Sequence, residues 1–335
     1  MGFIVKTNGF LTTVQDRGRY GYQKSGISVS GAMDIYSMEL ANILVGNDRG
    51  EAVLEMLMLG STLEFTDSGF IAITGGDFQP KINGKDAEMY CALFVKTGDV
   101  LSFGAAKEGN YCYVAFAGGM DVEKVLGSCS TYIKAAIGPM GGRALKTGDE
   151  IRLKKHVGHL INMSMRQIER PEIKKSPVLR VVLGPQDDFF DEENKEKFFR
   201  NSYTVTQEFD RMGCRLKGEP IVSQKGHDII SDGIARGAVQ IPKHGQPIIM
   251  MADRQTAGGY TKIATVISAD TDVLAQTAVG DKVSFEKVTV EQAAEIYAER
   301  KKMLDNLEEK LNKTPQKRVF IVEVNDKKYQ LTLEE

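Results

Sequence analysis

Apolar and polar positions alternate along this chain mainly with a period of two, which predicts short strands separated by glycine-rich turns. Phe70 to Thr74, Ala92 to Lys96, Tyr111 to Ala117, Val178 to Leu183, Ile248 to Met251 and Ile263 to Ile267 read as strands, and Lys81 to Asn83 turns at Asn83-Gly84. A Gly-Asp step precedes an alternating strand three times, at Gly98-Asp99, Gly148-Asp149 and Gly280-Asp281, which suggests two β-domains closed by similar strands. A period near 3.6 recurs in only three places. Asp34 is a good N-cap for a helix through Ile35, Met38 and Ala41 with Gly46 as its stop. A second helix spans Glu192 to Arg200, with Phe198 and Phe199 inward. The longest begins at Thr289, where Thr289 and Gln292 suit a capping box, and runs to a stop before Pro315.

The charged, two-proline stretch 170–177 reads as a linker between β-rich blocks. The organisation expected is an N-terminal β domain over 1–170, a C-terminal one over 171–290, a helix over 291–314 and a tail over 315–335. The tail alternates around Asn325-Asp326 and predicts a hairpin whose Val322, Val324, Tyr329 and Leu331 pack against something.

Composition narrows the class. The 335 residues are 42% hydrophobic, and 43 basic residues nearly balance 45 acidic ones, so no basic field points to nucleic acid or an anionic membrane. No apolar run is long enough to span a bilayer, and the start lacks a signal-peptide core, so a cytoplasmic location is expected. Cys91, Cys112, Cys129 and Cys214 lie far apart without a CxxC pair, as buried thiols would. The scattered His156, His159, His227 and His244 make no metal set. Walker A, GxGxxG, GxSxG and HExxH patterns are absent.

Polar residues gather at three places. Between Ile248–Met251 and Ile263–Ile267 stand Asp253, Arg254, Gln255, Thr256, Gly258, Gly259 and Tyr260, which are not core material; the stretch reads either as a chain-reversing glycine turn or as a binding loop. TTVQDRGRYGYQKSGISVSGAMD brings Gln15, Asp16, Arg17, Arg19, Ser25, Ser30 and Asp34 between the first strands and the first helix. GSCSTYIKAAIGPMGGRALKTGD adds Ser128, Ser130, Thr131 and Arg143.

Together these blocks, with ANILVGND, AFAGGMDV, GPQDDFF, DRMGCRLKG, SDGIARGAVQIPKHGQPIIMMADRQTAGGYTKIATVISAD and LAQTAVGD, resemble the allophanate hydrolase subunit 2, or biotin-dependent carboxyltransferase-like, family, which includes the C subunit of bacterial 5-oxoprolinase. The resemblance covers most of residues 3–296. It implies a mainly β fold of two cyclophilin-like β-barrel domains with the active cleft between them, and a partner of the allophanate hydrolase subunit 1 type. Departures occur at Ser130-Thr131-Tyr132, Gly138-Pro139 and Thr261, and bear on substrate choice rather than fold. The tail resembles the opening strands of a biotin carrier domain, yet no AMKM-like motif follows, so no covalent biotin is expected on this chain.

The activity implied is opening of the 5-oxoproline lactam in an ATP-dependent complex, with ATP handled by the other members of that complex, the B subunit and with it the A subunit of 5-oxoprolinase. The alternatives are biotin-dependent carboxylation of urea or another amide, and regulation of a sensor-kinase inhibitor. Either reaction requires a planar amide to be held while charge builds on its oxygen. For that task we assign Gln255, Thr256 and the N–H groups of Gly258 and Gly259 to the oxyanion-stabilising wall, and Asp253 to orienting their loop. Tyr260 and Gln240 would contact the substrate, and Lys262 or Arg211 would neutralise a carboxylate or phosphate. Asp16 and Arg17 would act from the opposite domain.

Overall fold

The computed structural model describes residues 2–154, 162–313, 317–324 and 327–334. His156 and His159 and the turn at Asn325-Asp326 lie outside the described residues. The fold is mainly β. In the first half, one sheet runs in the order Glu150–Arg152, Gly2–Thr7, Thr62–Phe65, Val100–Ser102, Lys81–Ile82 and Lys85–Asp86, and a second in the order Leu11–Gln15, Val53–Leu57, Glu108–Phe116, Gly69–Asp77 and Ala92–Val95. Their facing sides enclose one core, in which Phe3 stacks on Phe116 with ring centres 4.8 Å apart. Strand Glu108–Phe116 sends Cys112, Val114 and Phe116 into that core and Tyr111, Tyr113 and Ala115 into the other large core. From Tyr111 onward both of its faces are buried, which is why 111–116 is an unbroken apolar run.

The second half closes on itself. Val178–Leu183 pairs in parallel with Lys282–Lys287, and the order continues through Ser202–Phe209, Gly213–Lys217, Ile248–Met250, Ala238–Ile241 and Ala257–Val266. The last returns to Val178–Leu183 and completes a seven-strand barrel. An eighth strand, Asp228–Gly233, adds to the outer part of Ala257–Val266. The glycine stretch is therefore neither a turn nor an open loop from Ala257 onward, but strand. Nothing in the apolar pattern announced its partner, because Asp228–Gly233 is an exposed edge strand, with Ile230 94% accessible.

The three Gly-Asp steps build one recurring turn. Each glycine has positive φ (86°, 91° and 92°), and each aspartate accepts the backbone N–H three residues earlier. Each also docks alike, its glycine N–H donating to, and its aspartate carbonyl accepting from, one strand residue: Phe65, Val5 and Val205 respectively. Arg143 pairs with Asp149 at the middle copy.

Five helices stand among the described residues: α1 (Ile35–Leu44), α2 (Pro139–Gly142), α3 (Glu192–Arg200), α4 (Ser268–Ala275) and α5 (Val290–Asn312). Asp34 caps α1 by accepting from Ser37 N, and α1 is buried on most of its surface against the second sheet and both halves. In α3, Phe198 stacks on Phe285 at 4.3 Å while Phe199 is only partly covered. α5 opens with the Thr289–Gln292 capping box and lays Leu304, Leu307 and Leu311 on Leu40, Ile43 and Tyr90. The terminal hairpin pairs Lys317–Val324 with Lys327–Glu334, Val322 facing Tyr329. The packed face expected there does not form among the described residues: Val322, Tyr329 and Leu331 are exposed, and these strands join no other sheet.

Candidate functional site

The polar residues singled out in the sequence fall into three neighbourhoods. The first is a buried knot across the two halves. Arg211 is buried, its Nε donating to Asp253 Oδ2 over 2.9 Å, its Nη2 to Asp253 Oδ1 and to the carbonyl of Gly31, and its Nη1 to Glu55. Ser30 Oγ donates to Asp253 Oδ1 over 2.7 Å. Glu55 also accepts from Tyr113 Oη and Met33 N. Burial pulls the Arg211 guanidinium down, but Asp253 and Glu55 outweigh it, so its affinity for the proton rises above the ordinary arginine value. Its donors are taken up within the protein. The assignment of Arg211 to a substrate carboxylate therefore gives way to a framing role.

The second is built on Asp16. Its carboxylate accepts from Gly18 N (2.8 Å), Ser128 Oγ (2.7 Å), Cys129 N (2.7 Å) and Ser130 Oγ. Ser30 Oγ lies 3.1 Å from the carbonyl of Thr131, which ties this knot to Asp253. Three buried polar atoms, Gln15 Oε1, Arg19 Nη1 and Thr131 Oγ1, have no partner among the described residues. Asp16 thus organises the chain rather than facing the strand Ala257–Val266, and Arg17 turns away to pair with Glu39.

The third is an open groove of about 470 Å³ on the barrel, within the range of small-molecule sites. Gln240, Gln255 and Tyr260 line it together, facing Phe209, Asp210 and Arg215 from the hairpin Ser202–Phe209 and Gly213–Lys217. Gly258 packs tightly behind Gln240: a Cβ there would come within 2.6 Å of Ile234 Cδ1 and 3.3 Å of Gln240 Nε2. Gly258 is also paired with Asp232 across the ladder, and the Thr256 carbonyl accepts from Ile234 N. At Gly259 a Cβ would meet the Ile229 carbonyl at 3.3 Å. Lys262 is buried and its Nζ goes to Asp232 (2.6 Å) and the Gly233 carbonyl, not to the groove. The structure therefore gathers Gln240, Gln255 and Tyr260 at the groove, with Asp253 in the turn just before Gln255, and leaves Thr256, Gly258, Gly259, Lys262, Arg211, Asp16 and Arg17 off its lining.

Sequence reasoning missed Glu55. The signal was available, since one carboxylate interrupts the apolar strand VLEML, and a buried charge requires a partner. Among the described residues no group of three or more His, Cys, Asp or Glu is placed to hold a metal, and no helix is long and apolar enough to cross a membrane. The four cysteines are free and buried.

Comparison with known proteins places this architecture. Residues 25–287 match the family described as "Carboxyltransferase domain, subdomain A and B", and the chain belongs to that family. It is 35% identical over 299 residues to the C subunit of 5-oxoprolinase from Escherichia coli (strain K12), covering 89% of this chain and 95% of that one. It is also 35% identical over 295 residues to the C subunit of 5-oxoprolinase from Haemophilus influenzae, covering 88% and 94%. Among solved structures, the K. lactis urea amidolyase superposes with a TM-score of 0.84 at 29% identity over 91% of this chain; the chain spans only 20% of that larger protein.

Proposed function

We propose that this chain is one member of an ATP-dependent 5-oxoprolinase complex and that its barrel groove holds the lactam. The observation carrying this reading is end-to-end similarity to two bacterial 5-oxoprolinase C subunits, covering 95% and 94% of their lengths. The groove's chemistry supports it. A lactam offers one N–H donor and one C=O acceptor, and the carboxamides of Gln240 and Gln255 present matching donors and acceptors on one wall. Tyr260 Oη adds a donor for the oxygen on which charge builds. Arg215, partly exposed at the rim and paired with the exposed Glu208, replaces Arg211 and Lys262 as counter-charge for the substrate carboxylate.

In this reading water adds to the lactam carbonyl carbon, the C–N bond breaks and the nitrogen takes a proton to give glutamate. ATP is consumed in the cytoplasm by the assembled complex, in which this chain joins an allophanate hydrolase subunit 1-type partner (the B subunit) and the A subunit. The test is ATP-dependent glutamate release from 5-oxoproline by this chain combined with those partners. Activity insensitive to avidin is expected; no release with all partners present overturns the reading. A second reading, carboxyl transfer to urea or another amide from a separate biotin carrier, is favoured by the family description and the urea amidolyase superposition. It requires bicarbonate dependence and avidin inhibition in the same assay.

A further inference from the structure

Arg254 stands between Asp253 and Gln255 but points into a different cavity, of about 600 Å³, that shares no lining residue with the amide groove. Its walls are the start of α1, the first turn of α4, one face of α5 and the segment carrying Arg17 and Tyr20. Six cations line it: Arg17, Arg49, Arg236, Arg254, Arg300 and Lys301. Three are balanced locally, Arg17 by Glu39, Arg49 by Asp305 and Glu308, and Arg300 by Asp272. The others are not. Arg254 is only 8% exposed, donates to the carbonyls of Ile234 and Met251, and makes no ion pair among the described residues. Arg236 donates to the carbonyls of Ala32 and Met33, lies 3.6 Å from the already engaged Asp272, and keeps its Nε buried without an acceptor among the described residues. Lys301 has no ion-pair partner among the described residues. Counted over these walls and their ion-pair partners, positive charge exceeds negative by two.

Two more features point the same way. α4 begins at this cavity with no side-chain cap on its N-terminus, so the positive end of its dipole adds to the field. Tyr20 and Tyr297, 64% and 59% exposed, stand at the rim and offer ring faces that no packing role requires. Burial, then the neighbouring Arg236, lower Arg254 to about 10, which still leaves it charged at neutral pH.

We propose that this cavity is a binding site for a small phosphate monoester, its dianionic phosphate held by Arg236, Arg254 and Lys301 and its organic part lying against Tyr20 and Tyr297. A phosphate monoester carries close to two negative charges at pH 7 and three strong acceptor oxygens, which fits the local surplus of charge and the Arg254 and Lys301 groups that no carboxylate pairs among the described residues. This site does not depend on the identity of the reaction in the barrel groove.

The experiment is calorimetric titration of the full chain at low ionic strength with inorganic phosphate, phenyl phosphate and ADP. Saturable binding is expected, tighter for phenyl phosphate than for inorganic phosphate, and weakening with added salt. ADP binding more tightly than phenyl phosphate identifies a nucleotide as the natural source, and the reverse order a simple monoester. Arg254→Gln should weaken binding by about 10- to 100-fold, as expected for loss of a charged hydrogen-bond donor. Because Arg254 also braces two carbonyls, Lys301→Glu on the solvent face of α5 is the second variant, expected to weaken binding about fivefold. Lys302→Glu makes the same change of net charge one position along, outside the cavity, and should have no such effect. Absence of saturable binding by all three compounds, or equal weakening by Lys301→Glu and Lys302→Glu, overturns the proposal.

Discussion

Arg211 Nε donates to Asp253 Oδ2 across 2.9 Å inside the protein, and the same guanidinium reaches Glu55 in the other half of the chain. One cation thus holds two buried carboxylates, Glu55 on a strand of the first half and Asp253 in a turn of the second. Removing it leaves both carboxylates desolvated and unpaired, a loss of about 3–5 kcal/mol for a buried pair. Arg211→Ala should lower the free energy of unfolding by that amount, read in urea as a lower midpoint at unchanged slope. A change under about 1 kcal/mol would mean that this knot does not join the halves.

The amide groove makes a sharper demand on chemistry than on stability. Gln255→Ala removes one side-chain donor without disturbing the barrel core, and turnover in the reconstituted complex should fall by about 10²- to 10³-fold. The thermal midpoint should stay within a degree or two of wild type, since Gln255 is not part of a core cluster. Gly258→Ala should act differently, by forcing a Cβ against Ile234 Cδ1 and crowding Gln240, so that KM rises together with a loss of stability.

Asp34 provides a pH test. Burial first, and the nearby Asp272 second, push its carboxyl up to about 6, against an ordinary value near 4. The folded protein therefore binds a proton at Asp34 more tightly than the unfolded chain does, and between those two values its stability falls as pH rises. Above pH 6 the whole cost of keeping the ionised group buried is present, about 3 kcal/mol at 1.36 kcal/mol per unit. Asp34→Asn keeps an N-cap for α1 and abolishes the titration. Wild-type stability relative to this variant should therefore decline from pH 4 to pH 7; a flat difference would refute the shifted carboxyl.

The fold was largely legible because its signals are local. Asp34 and Thr289 each bring a side-chain oxygen to a backbone N–H near a helix start, and both caps form. The Gly-Asp turns were legible for the same reason, since the conformation and the acceptor both reside in two adjacent residues. The site was half legible. Gln240 and Tyr260 sit on adjacent strands and Gln255 just before one of them, and their polarity against an apolar background exposed them. Arg211 and Lys262 looked like free cations because sequence does not reveal the partner of a long side chain, and here the partners are Glu55, Asp253 and Asp232. Val322, Tyr329 and Leu331 alternate like a packed strand, yet alternation only states that a face is apolar, not what covers it.

The carboxylate of Asp16 accepts from four donors. Gly18 N, Cys129 N and the hydroxyls of Ser128 and Ser130 converge on one buried carboxylate, joining residues more than a hundred positions apart. Asp16→Ala leaves two backbone donors without an acceptor, the buried Cys129 N–H and the partly buried Gly18 N–H, at a cost of about 1–3 kcal/mol for the buried one. Asp16→Asn keeps the shape but turns an NH2 group toward donors, so it should destabilise almost as much rather than rescue. Amide exchange reads this directly. In both variants the Gly18 and Cys129 amides should lose protection while the Val205 amide, bonded to Asp281 at a distant turn, keeps it. If Asn preserved protection at Cys129, the carboxylate's charge would be irrelevant to the knot, and Asp16 would need a different role.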